Sequence, residues 1–331
     1  MVKFLIIRFS SIGDIVLTTP IVRCLKSQVD GVEIHYLTKS AFSGLLKDNP
    51  YIDKLLVLQP KLSDTIEEIK SESYDYIIDL HHNLRTAIIK NRTHILSFAF
   101  PKLNIKKWLY VYFKINKLPS VHVVDRYFET VKIFDVHNDG KGLELFLSPN
   151  DEKVLAELPA YLHQGYLAVV VGAKHVTKQM PPSLLISILE KINYPIILLG
   201  DINDKKIADE VMLKLRRSDV FNACGSYSIM QSAAIVKHSK VVLTGDTGLM
   251  HIAAAFKKNI VSVWGNTVPA FGMYPYLGIN QYKVFEVNDL PCRPCSKLGF
   301  NQCPKKHFKC MMSQNIQGIV NSLLEYYEKQ S

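Results

Sequence analysis

Short apolar runs, each leaving through a small-residue turn into a helix-patterned stretch, recur along the whole chain. The first, Val2 to Ile7, is interrupted only by Lys3, as befits a strand buried on both faces of a parallel sheet. It exits through Arg8-Phe9-Ser10-Ser11-Ile12-Gly13-Asp14 into Ile15 to Lys26, whose apolar positions suit a helix. Strand-like runs follow at Val32 to Leu37, Leu55 to Leu58 and Tyr76 to Leu80, with a helical Ile66 to Lys70 between the last two. This βαβα order predicts a doubly wound parallel sheet.

A second start comes after the stretch Leu158 to Gly165, with strands expected at Leu167 to Val171, Pro195 to Leu199, Val241 to Leu243 and Asn259 to Val263. The 331 residues suit about two domains, drawn at 1–158 and 159–331. Asn315 to Lys329 places Ile316, Ile319, Val320, Leu323 and Leu324 on one helical face, which pads the second core. With 48% hydrophobic and 21% charged residues, the composition excludes collagen-like, low-complexity and disordered classes. The opening apolar run is too short for a signal peptide and no run suffices for a membrane span, so a cytoplasmic protein is expected.

Three strand exits carry the chemistry. Val241-Val242-Leu243-Thr244-Gly245-Asp246-Thr247-Gly248-Leu249-Met250-His251 ends a buried strand in a small turn and starts a helix, whose first N–H groups suit a phosphate. Asp246 or Thr247 as a plain helix cap is the alternative. Val169 to Pro181 brings Lys174 and Lys178 to a second exit, where they neutralise a diphosphate or simply form a solvated loop. Ser10 to Asp14 forms the third: Asp14 is either a base stabilised as the anion by a helix start or a cap. The chain contains no G-x-G-x-x-G, no Walker A sequence, no G-x-S-x-G elbow and no D-x-D pair, which favours chemistry without a metal.

Taken in order, R-x-S-S-I-G-D-I-V-L-T-T-P (Arg8 to Pro20), G-A followed by T-K-x-x-P (Gly172 to Pro181) and D-T-G-L-M-H-I-A-A-A (Asp246 to Ala255) resemble glycosyltransferase family 9, the heptosyltransferases of the bacterial lipopolysaccharide inner core. The resemblance implies an α/β GT-B fold, two Rossmann-like doubly wound domains facing a central cleft, acceptor on the N-terminal one and donor on the C-terminal one. It implies inverting, metal-independent transfer of a heptose from an ADP-sugar. Asp14 then corresponds to the general base, Lys178 to the phosphate-contacting lysine and Asp246 to the residue reaching the sugar. Thr247, Gly248 and Leu249 hold the diphosphate, with His251 behind them. Ser10, Gly13, Lys174, Asp201 and Tyr227 complete the expected donor set. Gln179 and Met180 depart from the Arg and Trp common in the family after that lysine.

The net charge is +10, and from Leu80 to Val124 there is no acidic residue while Arg85, Lys90, Arg92, Lys102, Lys106, Lys107, Lys114 and Lys117 supply +8. Phe98, Phe100, Trp108, Tyr110, Tyr112 and Phe113 are interleaved. This mixture suits anionic headgroups or a phosphorylated lipid A acceptor, with Arg85 and Arg126 as acceptor contacts, and a protein peripheral to the inner face of the cytoplasmic membrane. A basic face over an aromatic core and a nucleic-acid surface are the rivals; no nucleic-acid partner is expected, and another nucleotide sugar is the alternative within the class. Cys292, Cys295, Cys303 and Cys310 are spaced as C-x2-C-x7-C-x6-C, which permits a structural zinc knot or reduced thiols packing a loop. No catalytic metal is expected. Cys24 and Cys224 are read as core residues.

Overall fold

The computed structural model describes residues 2–329, so the outermost residues of the expected 1–158 and 159–331 domains lie outside it. The chain forms two compact units, one from Met1–Lys102 and Val121–Phe146, the other from Leu103–Ser120 and Leu147–Ser331. The stretch 103–120 therefore groups with the second unit although its neighbours on both sides belong to the first.

The first unit holds a five-stranded parallel sheet of β1 (Val2–Ile7), β2 (Val32–Thr38), β3 (Lys54–Val57), β4 (Tyr76–Asp79) and β5 (Leu96–Ala99), ordered β3-β2-β1-β4-β5. The central strand pairs Ile7 with Leu37 on one side and with Asp79 on the other. Phe4 to Ile7 have no exposed side chain, which is why an almost unbroken apolar run occurs there. The helix expected over Ile15 to Lys26 is two helices, Ile12–Val16 and Thr19–Gln28. Pro20 stands in the first turn of the second and has no N–H to continue the ladder. The hydroxyls of Thr18 and Thr19 donate instead to the carbonyls of Ile15 and Val16, at 2.7 and 2.8 Å.

The second unit holds a six-stranded parallel sheet of β6 (Leu167–Val170), β7 (Ile196–Leu199), β8 (Val220–Asn222), β9 (Val241–Thr244), β10 (Asn259–Trp264) and β11 (Tyr282–Glu286), ordered β11-β10-β9-β6-β7-β8. Both units are thus doubly wound. The C-terminal helix Ile316–Glu328 buries Ile319, Val320 and Leu323 in a core shared with Val169, Leu185, Leu198 and Val261, as its spacing predicts.

In each sheet the chain runs outward in both directions from a central pair, β1 and β4 in the first unit, β6 and β9 in the second. Crevices for ligands open beyond the carboxyl ends of such a pair. All three motifs of the sequence lie there.

Candidate active site

In the first unit the crevice is built around Arg8, which follows β1 and whose side chain is 9% exposed. Its guanidinium donates from Nε to the Ser10 carbonyl at 2.8 Å and from Nη1 to the Leu80 carbonyl beyond β4. The remaining nitrogen, Nη2, lies 2.5 Å from Asp14 Oδ1. Asp14 sits in the third position of the helix Ile12–Val16, where Oδ2 accepts from the Ser11 hydroxyl at 2.8 Å and the Ser11 N–H at 3.2 Å. It is therefore not the cap residue itself; Ser11 is.

Burial pushes the Asp14 carboxyl up, but the Arg8 cation and the two Ser11 bonds outweigh it and hold the pKa down at about 2. Beside it, the His81 ring lies tilted against that of Phe9, centroids 4.9 Å apart. Burial, then the Arg8 and Lys102 cations, lower its pKa to about 4, so the imidazole is neutral at pH 7. Its Nδ1 is buried without a hydrogen-bond partner among the described residues. The turn carrying it is fixed by the fully buried Asp79, which accepts from the His81 and His82 N–H groups and pairs with Lys90 at 2.8 Å.

In the second unit, the short turn Val176–Lys178 follows β6 and lies across the ends of β9 and β10. A Cβ on Gly245 would sit 2.5 Å from the Lys178 carbonyl oxygen, and one on Gly265 2.6 Å from that of Thr177, so only glycine admits the turn so close. Lys178 Nζ reaches Asp246 Oδ2 at 2.6 Å, with the two side chains 17% and 11% exposed. The same Oδ2 accepts from the Thr267 hydroxyl at 2.9 Å. Arg293 holds this neighbourhood together, donating to the carbonyls of Gly265 (2.6 Å) and Thr267 (2.9 Å) while pairing with Glu286 at 2.6 Å.

The helix Gly248–Ala255 starts next to this pair. Its cap is Thr247, whose hydroxyl accepts from Met250 N at 3.3 Å and shares a hydrogen bond with Thr244. The amides of Gly248 and Leu249 precede the first intrahelical bond and suit an anion. An ammonium, a helix start and a carboxylate side by side can hold a diphosphate by the first two and a sugar hydroxyl by the third.

The other expected donor residues are more dispersed. Lys174 is exposed, Tyr227 half-buried and His251 buried. Asp201 is exposed after β7, where its carboxylate accepts from Asn203 N at 2.7 Å. Ser10 and Gly13 belong with Asp14 in the first unit, so the donor set read from the sequence is divided between units. Asp204, not singled out from the sequence, is the buried carboxylate here: a Cβ on Gly172 or Gly200 would strike it. Gln179, where the resemblance leads one to expect an arginine, bonds Ala173 O and Asp204, and Met180 enters the core. Arg85 stands exposed on the helix Leu84–Thr93, whereas Arg126 is 5% exposed and donates to the Pro101 carbonyl at 3.4 Å.

The basic stretch is divided between the units. Residues 80–102 and 121–124 belong to the first unit and 103–120 to the second. Lys90 is drawn inward to Asp79, and Lys114 caps the carbonyls of Val111, Cys292 and Pro294. The six cysteines are free thiols, with Cys24 and Cys224 buried. Cys292 Sγ lies 3.9 Å from His307 Nε2, while burial, then Cys292, raises Cys295 to about 12. Among the described residues no three His, Cys, Asp or Glu side chains converge as a metal site, so the zinc knot that the spacing permits is not assembled here.

The sequence model of glycosyltransferase family 9 (heptosyltransferase) matches residues 63–306. A lipopolysaccharide heptosyltransferase 1 from Campylobacter coli is 25% identical over 288 residues, 80% of this chain and 84% of that protein. Among solved structures, a family 9 glycosyl transferase from Veillonella parvula aligns with a TM-score of 0.79 at 18% identity, covering 99% of this chain and 97% of that one. The E. coli ADP-heptose lps heptosyltransferase II aligns with a TM-score of 0.74 at 17% identity, covering 99% of each. The two doubly wound units thus have the GT-B heptosyltransferase fold, and the chain belongs to glycosyltransferase family 9, a family of sugar-transferring enzymes.

Proposed function

We propose that the protein transfers a heptose from ADP-heptose to the inner core of lipopolysaccharide, with inversion at the anomeric carbon and without a metal ion. The observation that supports the donor half most directly is the 2.6 Å Lys178–Asp246 pair beside the open amides of Gly248 and Leu249. Lys178 and those amides, with Thr247, take the diphosphate; Asp246 takes a sugar hydroxyl. Lys174, Asp201, Tyr227 and His251 contribute to nucleotide binding, and Ser10 and Gly13 shape the turn around Asp14. The similar E. coli enzyme is named for ADP-heptose, in keeping with this donor.

In the transfer, the acceptor hydroxyl oxygen bonds to the anomeric carbon as that carbon's bond to the diphosphate oxygen breaks. Asp14 takes the hydroxyl proton and ADP leaves with the bonding pair, its charge met by Lys178 and the helix amides. A carboxylate held near pKa 2 is a weak base at rest, so Asp14 takes the proton late, once bonding to the anomeric carbon has made the acceptor hydroxyl acidic. Arg85, accessible on its helix, and Arg126 are assigned to the acceptor's anionic groups. The enzyme works as a peripheral protein at the inner face of the cytoplasmic membrane.

The test is to incubate purified protein with a panel of nucleotide sugars and heptose-deficient lipopolysaccharide, then weigh the products. A mass gain of one heptose from ADP-heptose alone is expected. Gain from a different nucleotide sugar overturns the donor assignment, and no gain with any donor overturns the acceptor assignment. Tight, salt-sensitive RNA binding without ADP binding would favour a nucleic-acid role instead.

A further inference from the structure

The helix Asn104–Phe113 belongs to the second unit and turns its apolar side outward. Ile105 is 77% exposed, Trp108 47%, Tyr112 70% and Phe113 58%. With the half-buried Leu109 they fall at i, i+3, i+4, i+7 and i+8, a single stripe along the helix. Trp108 packs its ring 5.7 Å from Tyr112 and 5.1 Å from Phe113, so the aromatic part of the stripe is one continuous surface.

The opposite side is what fastens the helix. Val111 is buried with Val268 and Phe271, Tyr110 meets Phe271 edge-on at 6.1 Å, and Lys107 lies 5.7 Å over the same ring. At the C-terminal end Lys114 donates to three carbonyls, those of Val111, Cys292 and Pro294. The outward stripe is therefore a mounted surface. A helix of this pattern ordinarily buries its apolar stripe and exposes the other side; here the order is reversed.

We infer that this helix lies in the plane of an anionic phospholipid bilayer, with Ile105, Trp108, Tyr112 and Phe113 entering the headgroup boundary and Lys106 and Lys117 contacting lipid phosphates. Ten residues span about 15 Å, half of what crossing the hydrocarbon requires, so the helix lies flat. Trp and Tyr favour that depth, where an apolar ring meets a wet polar edge. Along the chain the flanking charge is of one sign: Lys106 and Lys117 are exposed, and no acidic residue occurs from Leu80 to Val124. That complements an anionic surface. A symmetric contact with a second copy would bring two sets of these like charges into one interface. The inference rests on the peripheral-membrane part of the function proposed above and adds the element that makes the contact.

The chain has two tryptophans, and Trp264 is 1% exposed, so Trp264→Phe leaves Trp108 as the reporter. The full chain is mixed with phosphatidylglycerol-containing vesicles and with pure phosphatidylcholine vesicles. Expected are a blue shift of Trp108 emission and co-sedimentation on the anionic vesicles only, weakened by salt. Ile105→Ser with Tyr112→Ser should lower partitioning on the order of a hundredfold, about tenfold for each large side chain withdrawn. Lys106→Glu with Lys117→Glu should do the same without touching the stripe. Equal binding to both vesicle types, an unshifted Trp108, or undiminished binding by both double variants overturns the inference. So does a dimer in light scattering that the serine variant dissociates, with no vesicle binding. Transfer to a deacylated, water-soluble acceptor should be unaltered in both variants. If the wild-type chain binds vesicles as stated yet transfers to no acceptor, the functional reading fails and the lipid contact stands.

Discussion

Replacing Lys178 by Ala removes the cation assigned to the donor diphosphate and leaves the Asp246 carboxylate, 11% exposed, facing the phosphates uncompensated. A unit charge pair at about 4 Å in an effective dielectric of about 20 is worth about 4 kcal/mol. Water entering the vacated volume returns part of that, so a net loss of about 3 kcal/mol is expected, roughly 150-fold in ADP affinity. The second substitution makes the reasoning specific. In Lys178→Ala with Asp246→Ala the repelling carboxylate is gone, and ADP affinity should recover by about tenfold over the single variant, a coupling that only groups sharing one ligand neighbourhood display. Titration calorimetry of ADP at fixed salt measures all four proteins of the cycle. Should the double variant bind ADP no better than Lys178→Ala, or the single variant bind within a factor of three of wild type, the pair is not the diphosphate site.

Asp14→Asn should abolish most sugar transfer while ADP titration remains as in wild type; unaltered transfer would remove Asp14 from its role as base. Since the folded pKa of Asp14 is lowered from 3.8 to about 2, its ionised form stabilises the fold above pH 4, and that contribution, on the order of 2 kcal/mol, is lost as pH falls from about 4 to 2; urea midpoints over this range should drop less in Asp14→Asn. Gly245→Ala should move the Val176–Lys178 turn, because its Cβ would stand 2.5 Å from a main-chain oxygen, with a cost of about 1–3 kcal/mol in thermal unfolding and weakened ADP binding. Arg293→Met should leave Glu286 unpaired and release the carbonyls of Gly265 and Thr267, lowering stability by about 3 kcal/mol and weakening ADP binding through Thr267; an unchanged melting temperature would show that the clamp is dispensable.

The strands in the middle of each sheet were legible because both their faces are buried: Phe4 to Ile7, Leu167 to Val170 and Val241 to Thr244 leave no polar side to interrupt the run. The edge strands Leu96–Ala99, Val220–Asn222 and Tyr282–Glu286 are half-exposed and short, so nothing in their pattern distinguishes them from loops. The motif residues Asp14, Lys178 and Asp246 could be picked out as strand-exit polar groups. What each is bonded to could not, because the pairings are packing outcomes: Asp14 meets a neighbour in sequence, Arg8, that is itself oriented by the distant carbonyl of Leu80, while Asp246 meets Lys178 and Thr267 under the clamp of Arg293. The run 80–124 reads as a single basic surface because charge is additive along a chain. Its division between two units depends on where Val111 finds Val268 and Phe271, which is a packing outcome.

The two glycines under the Val176–Lys178 turn bear on how this protein can change. The ammonium assigned to the nucleotide rides on main chain seated directly upon main chain, so its height above the sheet is fixed by atoms every residue shares. Side chains around it are open to variation, as Gln179 and Met180 illustrate, while any methyl group gained at position 245 or 265 would lift the charge itself.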